Sequence, residues 1–307
     1  MIRAAVAISR HGSAHFCSDR CGANARNVAA YRRRTEAVAP PIKWAGGKRW
    51  AVARLRRLYR THRSRRLVEP FAGGLAVALG LRPDCALLND ANPVAARFYA
   101  MLADGFVVAD DIAVDRARET YLANRARFNE LHAAGRVDDE AAALFYVLVR
   151  TAFNGVWRTN KRGLMNVAWG GEGEPIERDL RSYSRVMRGW TFSAGDFARV
   201  ALDDDDFLFL DPPYDAGFVG YGADGFSFAD QVRLADYAAA HRGPIVAMNA
   251  ATPRLLELYR TRGFTVRRVR APRRISGDGD RTGTLEMLAT RNVTGFDAVD
   301  GALEAVG

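Results

Sequence analysis

The sequence predicts an α/β fold: an open sheet with helices on both faces. Three observations predict it. Short apolar runs that read as buried strands alternate with segments of helical period. The stretch Leu67-Val-Glu-Pro-Phe-Ala-Gly-Gly-Leu-Ala-Val-Ala-Leu79 reads as strand, glycine turn, helix. The run Phe207-Leu-Phe-Leu210 is apolar at every position, as a strand covered on both faces must be, and it stops at Asp211-Pro-Pro-Tyr214. Two prolines fix φ and remove two backbone donors, so no sheet ladder continues through them. The chain leaves that strand's carboxyl end with a carboxylate, two carbonyls and an aromatic ring side by side. In an open α/β sheet, ligands bind at that edge.

Length and composition fit one large domain or two smaller ones. The 307 residues are 49% apolar, without a run of the roughly 18–20 apolar residues that span a membrane. Cys17, Cys21 and Cys85 are too few for a disulfide framework, which suits a reducing cytoplasm. Cys17 and Cys21 have no second Cys/His pair at zinc-site spacing, so no metal is expected. The net charge of +10, from 45 Lys plus Arg, points to a polyanionic partner, nucleic acid first. Half of that excess lies in residues 1–39, where seven Arg face only Asp19 and Glu36. This segment reads as a disordered basic arm or the product of a start codon set too far upstream, with an organelle transit peptide ranked third.

After Pro40-Pro41 comes Ile42-Lys-Trp-Ala-Gly-Gly-Lys48, running into an amphipathic helix to about Tyr59, with Ala51, Leu55 and Leu58 on its apolar face. Backbone N–H groups at the glycine pair and the charge of Lys48 can grip a carboxylate or phosphate; the plain alternative is a tight turn with a solvated lysine. In the strand–turn–helix unit, Gly73 and Gly74 allow a ligand close to the backbone, but the pattern is not Gly-x-Gly-x-x-Gly, which argues against a dinucleotide fingerprint. A second strand, Cys85–Asn89, ends at Asp90, where an acid commonly accepts from ribose hydroxyls. Asn92 then caps a helix whose first residue is Pro93.

Residues 93–190 read as mostly helical, with Asp138-Asp-Glu opening one apolar helix. Within them, Phe153-Asn-Gly-Val-Trp-Arg-Thr-Asn-Lys-Arg-Gly-Leu-Met-Asn-Val167 holds three basic residues, three amides and two aromatics in 15 positions. That mixture suits a loop reading base edges while touching phosphates; the plain alternative is a polar loop whose Asn and Gly make turns. A strand near Trp190–Phe192 precedes Asp196 at another strand end. Residues 215–228 read as a mobile flap beside the site. A helix from about Ala229, a strand Ile245–Met248, a helix capped by Thr252-Pro253, and strands Phe264–Arg270 and Leu285–Thr290 follow. Arg273–Arg281 reads as a loop that hugs phosphates or covers a cofactor, and the last residues as a frayed tail.

Asp-Pro-Pro-Tyr is suited to a planar amino group. Asp211 can accept one N–H and a carbonyl of the proline pair the other, which draws the nitrogen lone pair out of conjugation. Tyr214 can stack on the ring, worth about 1–3 kcal/mol. The plain alternative is an ordinary proline turn ending a strand.

Taken together, Lys43-Trp-Ala-Gly-Gly-Lys48, Glu69-Pro-Phe-Ala-Gly-Gly74, Asn89-Asp-Ala-Asn92, Asn154-Gly…Arg158…Asn160…Gly163…Asn166 and Asp211-Pro-Pro-Tyr214 resemble, in content and order over about 41–290, the DNA adenine-N6 methyltransferases of the DNA adenine methylase type. The resemblance implies a Rossmann-like methyltransferase sheet at 40–92 and 191–295, a mostly helical target-recognition insert at 93–190, an arm at 1–39 and a tail at 296–307. It implies S-adenosylmethionine as methyl donor. Trp44, Lys48, Phe71, Gly73, Gly74, Asp90, Asp196 and Asp211 would border that cofactor. Asp211, Pro212, Pro213 and Tyr214 would hold a flipped adenine, and Asn154, Arg158, Asn160, Lys161, Arg162 and Asn166 would contact double-stranded DNA, with Arg158 the best placed for a guanine. No metal or covalent enzyme intermediate is required. Leu75 departs from a small residue in many relatives, the arm is unusual, and Val156 and Trp157 differ from better-known members, so the target sequence is not carried over. The expected setting is bacterial or phage cytoplasm, with a monomer favoured and a partner restriction nuclease left open. Cytosine N4, an RNA amino group, and a catalytically inactive DNA-binding component of a restriction system stand as alternatives.

Overall fold

In the computed structural model the described residues are 38–173, 176–214, 225–272 and 284–294, with two-residue strands also assigned at Ala7–Ile8 and Glu304–Ala305. Seven longer strands form one sheet: β1 (Leu67–Glu69), β2 (Ala86–Asp90), β3 (Trp190–Ala194), β4 (Phe207–Leu210), β5 (Ile245–Ala250), β6 (Thr265–Ala271) and β7 (Thr284–Arg291). Their spatial order is β3-β2-β1-β4-β5-β7-β6, with Ala7–Ile8 beyond β3 and Glu304–Ala305 beyond β6. The first five are mutually parallel, Leu67 standing opposite both Ala86 and Phe207, while β7 runs antiparallel to β5 and β6. The sheet is therefore Rossmann-like with an antiparallel edge, and the chain reverses its direction of build between β1 and β4. The carboxyl ends of those two strands flank the crevice where such sheets hold ligands.

The period-two alternation of β4 explains its uniform apolarity. Phe207 and Phe209 face one core, which contains α1 (Val52–Tyr59), α2 (Ala76–Leu81), α3 (Pro93–Asp104), α4 (Arg118–Ala133) and α5 (Asp139–Thr151). Leu208 and Leu210 face the other, beneath α7 (Phe228–Ala240) and α8 (Pro253–Arg260). The predicted caps form. Asn92 Oδ1 accepts from Val94 and Ala95 N–H, and Asp138 Oδ1 from Ala141 N–H at 3.0 Å. Helix α7 begins one residue before expectation, in a capping box of Ser227 and Asp230. Thr252 stands at the predicted cap of α8, but its side chain makes no capping bond.

Two further expectations need correction. Between α5 and β3 the chain is not helical, apart from a turn at Phe153–Gly155 and the short α6 (Ser182–Val186). Glycines with positive φ at Gly155, Gly163 and Gly171 break any helical run there. The cysteines, too few for a framework, nonetheless include one, Cys85, that is disulfide-bonded. Leu75, the residue flagged as a departure, adopts a left-handed conformation (φ 61°) while fully buried at the start of α2. The arm at 1–37, most of the expected flap (215–224), the 273–283 stretch and the tail from 295 lie outside the described residues, apart from the four residues in the two short strands. Among the described residues, no helix is long and apolar enough to cross a membrane.

Candidate active site

The site is assembled at the carboxyl ends of β1, β2 and β4. Asn89, buried in β2, ties the ends of β1 and β3 to its own strand: its Nδ2 donates to the carbonyls of Pro70 (2.9 Å) and Gly195 (3.0 Å), and its Oδ1 accepts from Ser193 Oγ. At the next residue, Asp90 accepts from Gly73 N–H with Oδ2 (3.0 Å) and from Asn92 N–H with Oδ1 (2.9 Å). The acid thus clamps the glycine turn to the second strand tip, and each oxygen keeps a second lone pair. Burial pushes its carboxyl above the usual range, against the pull of the two N–H bonds.

Gly73 and Gly74 have a reason to be glycine within the protein itself. A Cβ on Gly74 would lie 2.7 Å from Trp44 Cβ, and one on Gly73 3.0 Å from the Trp44 ring. The indole of Trp44 lies on the turn and excludes any side chain there. Trp44 also lies 6.3 Å from the Phe145 ring, and Phe145 is 4.8 Å from Trp157, so aromatic packing runs from the glycine turn to the 153–167 segment.

Lys48 does grip a carboxylate, but one from its own chain. Its side chain is 1% exposed, and Nζ donates to Asp211 Oδ1 at 2.9 Å and to the Gly46 carbonyl at 2.7 Å. The same ammonium lies 4.0 Å from Glu286 Oε2 and 4.7 Å from the centre of the Tyr214 ring. Asp211 keeps 20% of its side-chain surface open. Glu69 is buried beside it, with Oε1 lacking a hydrogen-bond partner. Two carboxyls thus share one ammonium, and a third, Glu69, lies against Asp211. Burial raises all three above their ordinary values; Lys48 opposes the rise at Asp211 and Glu286, and Asp211 adds to it at Glu69. Burial likewise raises the Tyr214 hydroxyl, and the neighbouring Asp211 and Glu286 carboxylates add to the rise.

The two prolines are not equivalent. The Pro213 carbonyl accepts from Gln231 Nε2 at 2.8 Å. Pro212, buried in front of it, has no such donor among the described residues.

The remaining expected residues are spread over two regions. Phe71 packs with Phe197 and Phe226 at centroid distances of 5.5 and 5.7 Å, forming a ring cluster beyond the glycine turn. Asp196 borders that cluster but is already engaged: Arg233 forms a two-pronged ion pair with it (3.1 and 2.8 Å), and Ala198 N–H donates to Oδ1. The 153–167 segment forms a hairpin in which Thr159 bridges Met165. Asn160 spends its Oδ1 on the N–H groups of Arg162 and Leu164, closing the tip and leaving Lys161 and Arg162 exposed. Arg158 and Asn166 pair across the stem at 3.1 Å. Asn129 and Tyr121 of α4 anchor the returning strand. Asn154 sits outside the hairpin, exposed, with φ 55°. Gly155 beside it lies so close to Lys43 that a Cβ would be 2.6 Å away, which brings this turn up to the Trp44 block.

Sequence reasoning missed Glu286, Gln231 and Asn249. An acid between Leu285 and Met287 in a strand was a visible signal for the first; the two amides carried none.

A family model of D12 class N6 adenine-specific DNA methyltransferases matches residues 44–275. The chain belongs to this family. It is 31% identical over 279 residues to the retron Ec67 DNA adenine methylase of Escherichia coli, covering 85% of this chain and 95% of that protein. It is 33% identical over 275 residues to a DNA adenine methylase of Vibrio cholerae, covering 81% and 94%. Over 261 residues it is 34% identical to the DNA N-6-adenine-methyltransferase of Escherichia phage P1, covering 79% of this chain but 34% of that longer protein. The enzyme is therefore a site-specific DNA methyltransferase acting on adenine, and both Trp44–Lys48 and the Asp211-Pro-Pro-Tyr214 loop fall inside the matched region.

Proposed function

We propose that the Asp211–Tyr214 loop holds the amino group of an adenine turned out of the duplex, with S-adenosylmethionine bound over the glycine turn. The observation that carries this is the Lys48–Asp211 pair: Lys48 occupies Oδ1, which leaves Oδ2 as the open acceptor on a carboxylate fixed in place. The Pro213 carbonyl is held by Gln231, so the Pro212 carbonyl is the second acceptor. Two fixed oxygens on one –NH2 localise its lone pair, and Tyr214 stacks on the ring. A base within a stacked duplex cannot reach such a loop, so it is extruded first.

The donor set fits the cofactor. Asp90 offers two anchored carboxylate oxygens for ribose hydroxyls, and the Phe71–Phe197–Phe226 rings offer a flat apolar wall for a purine. Bound there, S-adenosylmethionine supplies an electrophilic methyl group. Trp44 and Lys48 shape the turn and the acceptor beside it. Asp196 contributes by fixing Arg233 against the Phe197 ring, at 4.5 Å, rather than by offering a free oxygen. The chain at 93–190 acts as the target-recognition part. Arg158 and Asn166 read base edges, while Lys161, Arg162 and Asn154 meet the backbone; Asn160 shapes the hairpin tip.

Expression in a methylation-free strain, followed by digestion of its DNA to nucleosides, tests this reading. N6-methyladenine should accumulate at one recurring sequence and vanish in the Asp211→Ala variant. N4-methylcytosine in its place would overturn the choice of base.

A further inference from the structure

The tetrapeptide that must hold a base has little to hold it. Two of its four residues are prolines, which donate no backbone hydrogen bond, and it follows directly on the last residue of β4. Its orientation therefore depends on what donates to its carbonyls. Gln231, in the first turn of α7, is completely buried and reaches the Pro213 carbonyl with Nε2 at 2.8 Å. Its Oε1 accepts from Nδ2 of Asn249 at 3.1 Å. Asn249 is also completely buried, on β5, the strand next to β4, and its Oδ1 accepts from Ala250 N–H at 2.7 Å. Two amides thus run in line from the sheet to the loop.

The fold itself gives no reason for these amides. Their neighbours in the same core are Leu234, Ala235, Ala238 and Ala247, and a buried amide is costly unless bonded. A Gln suits this place because it donates to a carbonyl and accepts from an Asn at once; Leu, Met and an ionised Glu cannot do both.

We propose that Gln231, braced by Asn249, is a positioning residue for methyl transfer. It fixes the plane of the Pro213–Tyr214 peptide, and with it the direction of the Tyr214 ring and the exposure of the Pro212 carbonyl. This rests on the reading of Asp211–Tyr214 as the adenine-holding loop. Gln231 touches no substrate; it acts through the loop.

Single-turnover transfer to a DNA duplex by Gln231→Met tests it, with thermal unfolding to verify the fold and cofactor binding measured separately. The rate should fall about 10- to 100-fold while cofactor affinity holds, because a displacement of about 1 Å can cost that much. Adding Asn249→Ala to Gln231→Met should lower the rate no further. A folded Gln231→Met transferring at the parent rate overturns the proposal. Gln231→Glu gives a second reading that does not depend on the Met variant folding. Its carboxyl donates only when protonated, so its rate relative to the parent should rise as pH falls; a ratio constant with pH contradicts the proposal. Asp211→Ala separates the two levels: if it is active, the reading of the loop fails, and if it is inactive beside a fully active Gln231→Met, only the role of Gln231 fails.

Discussion

Lys48 Nζ lies 2.9 Å from Asp211 Oδ1, joining residues 163 positions apart into one buried ion pair at the mouth of the sheet. The pair explains why a lysine in the amino-terminal block accompanies an acid far along the chain. Removing one partner of such a pair costs about 3–5 kcal/mol, because the other is left buried and uncompensated. Lys48→Met should therefore be less stable than the parent. Burial already raises the Asp211 carboxyl above its ordinary 3.8, and Lys48 limits the rise. A carboxyl whose folded value is raised favours the fold below its unfolded value and loses that contribution as pH climbs through the folded one. The cost of Lys48→Met should accordingly be smallest in acid and grow with pH. The acid limb of its pH–rate profile should also shift upward from the parent's, since Asp211 must be ionised to accept from an amine. Denaturant titrations and rate profiles across pH 4–8 check both; an unmoved limb would mean that Lys48 does not govern Asp211.

Glu69 is nearly sealed from solvent, and burial, then Asp211, push its carboxyl well above the ordinary 4.5. The parent should thus lose stability as pH rises from the ordinary value through the raised one. Glu69→Gln removes that loss. The gap between the two unfolding curves should widen in favour of the variant as pH rises, and parallel curves would show that Glu69 is ionised in the fold.

Gly74 has no positive φ, so a substitution there is opposed only by space, with Trp44 Cβ 2.7 Å from the new carbon. Gly74→Ala should cost about 1–3 kcal/mol and change the Trp44 emission. In the double variant with Trp44→Gly, which removes that Cβ, the two costs should fall short of their sum by at least about 0.5 kcal/mol. Strict additivity would show that the glycine serves something other than room for Trp44.

These residues show what the chain makes legible. Asp211-Pro-Pro-Tyr214, the glycine turn and Asp90 could be read because local chemistry alone constrains them: prolines end a strand, an acid stands at a strand tip. The Asn92 and Asp138 caps were legible for the same reason. Gln231 and Asn249 were not, because their partners lie 18 positions away and meet only once the sheet is built; Glu286 showed only as an acid in an apolar strand, its partner Lys48 lying 238 positions away. Asp196 was read as an acid at a strand end bordering the cofactor; its pairing was not legible, because Arg233 reaches it from a helix 37 positions on. The 153–167 segment was legible as a polar loop rich in basic and amide residues, but its hairpin form depends on Asn160 closing a turn and on α4 holding the return strand.

Arg158 stands on the hairpin stem, held by Asn166 at 3.1 Å. Arg158→Ala should relax sequence preference at one base pair by about 1–3 kcal/mol, whereas Lys161→Ala and Arg162→Ala should weaken binding to all sequences and reduce the salt slope by about 1 each. Methylation of a duplex library, read by sequencing, separates the two effects. Unchanged discrimination in Arg158→Ala would remove it from base readout.

The most direct test of the account is single-turnover methyl transfer by Asp211→Ala on a duplex with its adenine site intact, alongside cofactor binding by calorimetry. The expected rate is lower by at least about 100-fold with cofactor affinity changed by no more than about threefold, since the grip on the amine and the partner of Lys48 are lost while Asp90 and the glycine turn remain. Transfer at the parent rate by that variant would contradict it.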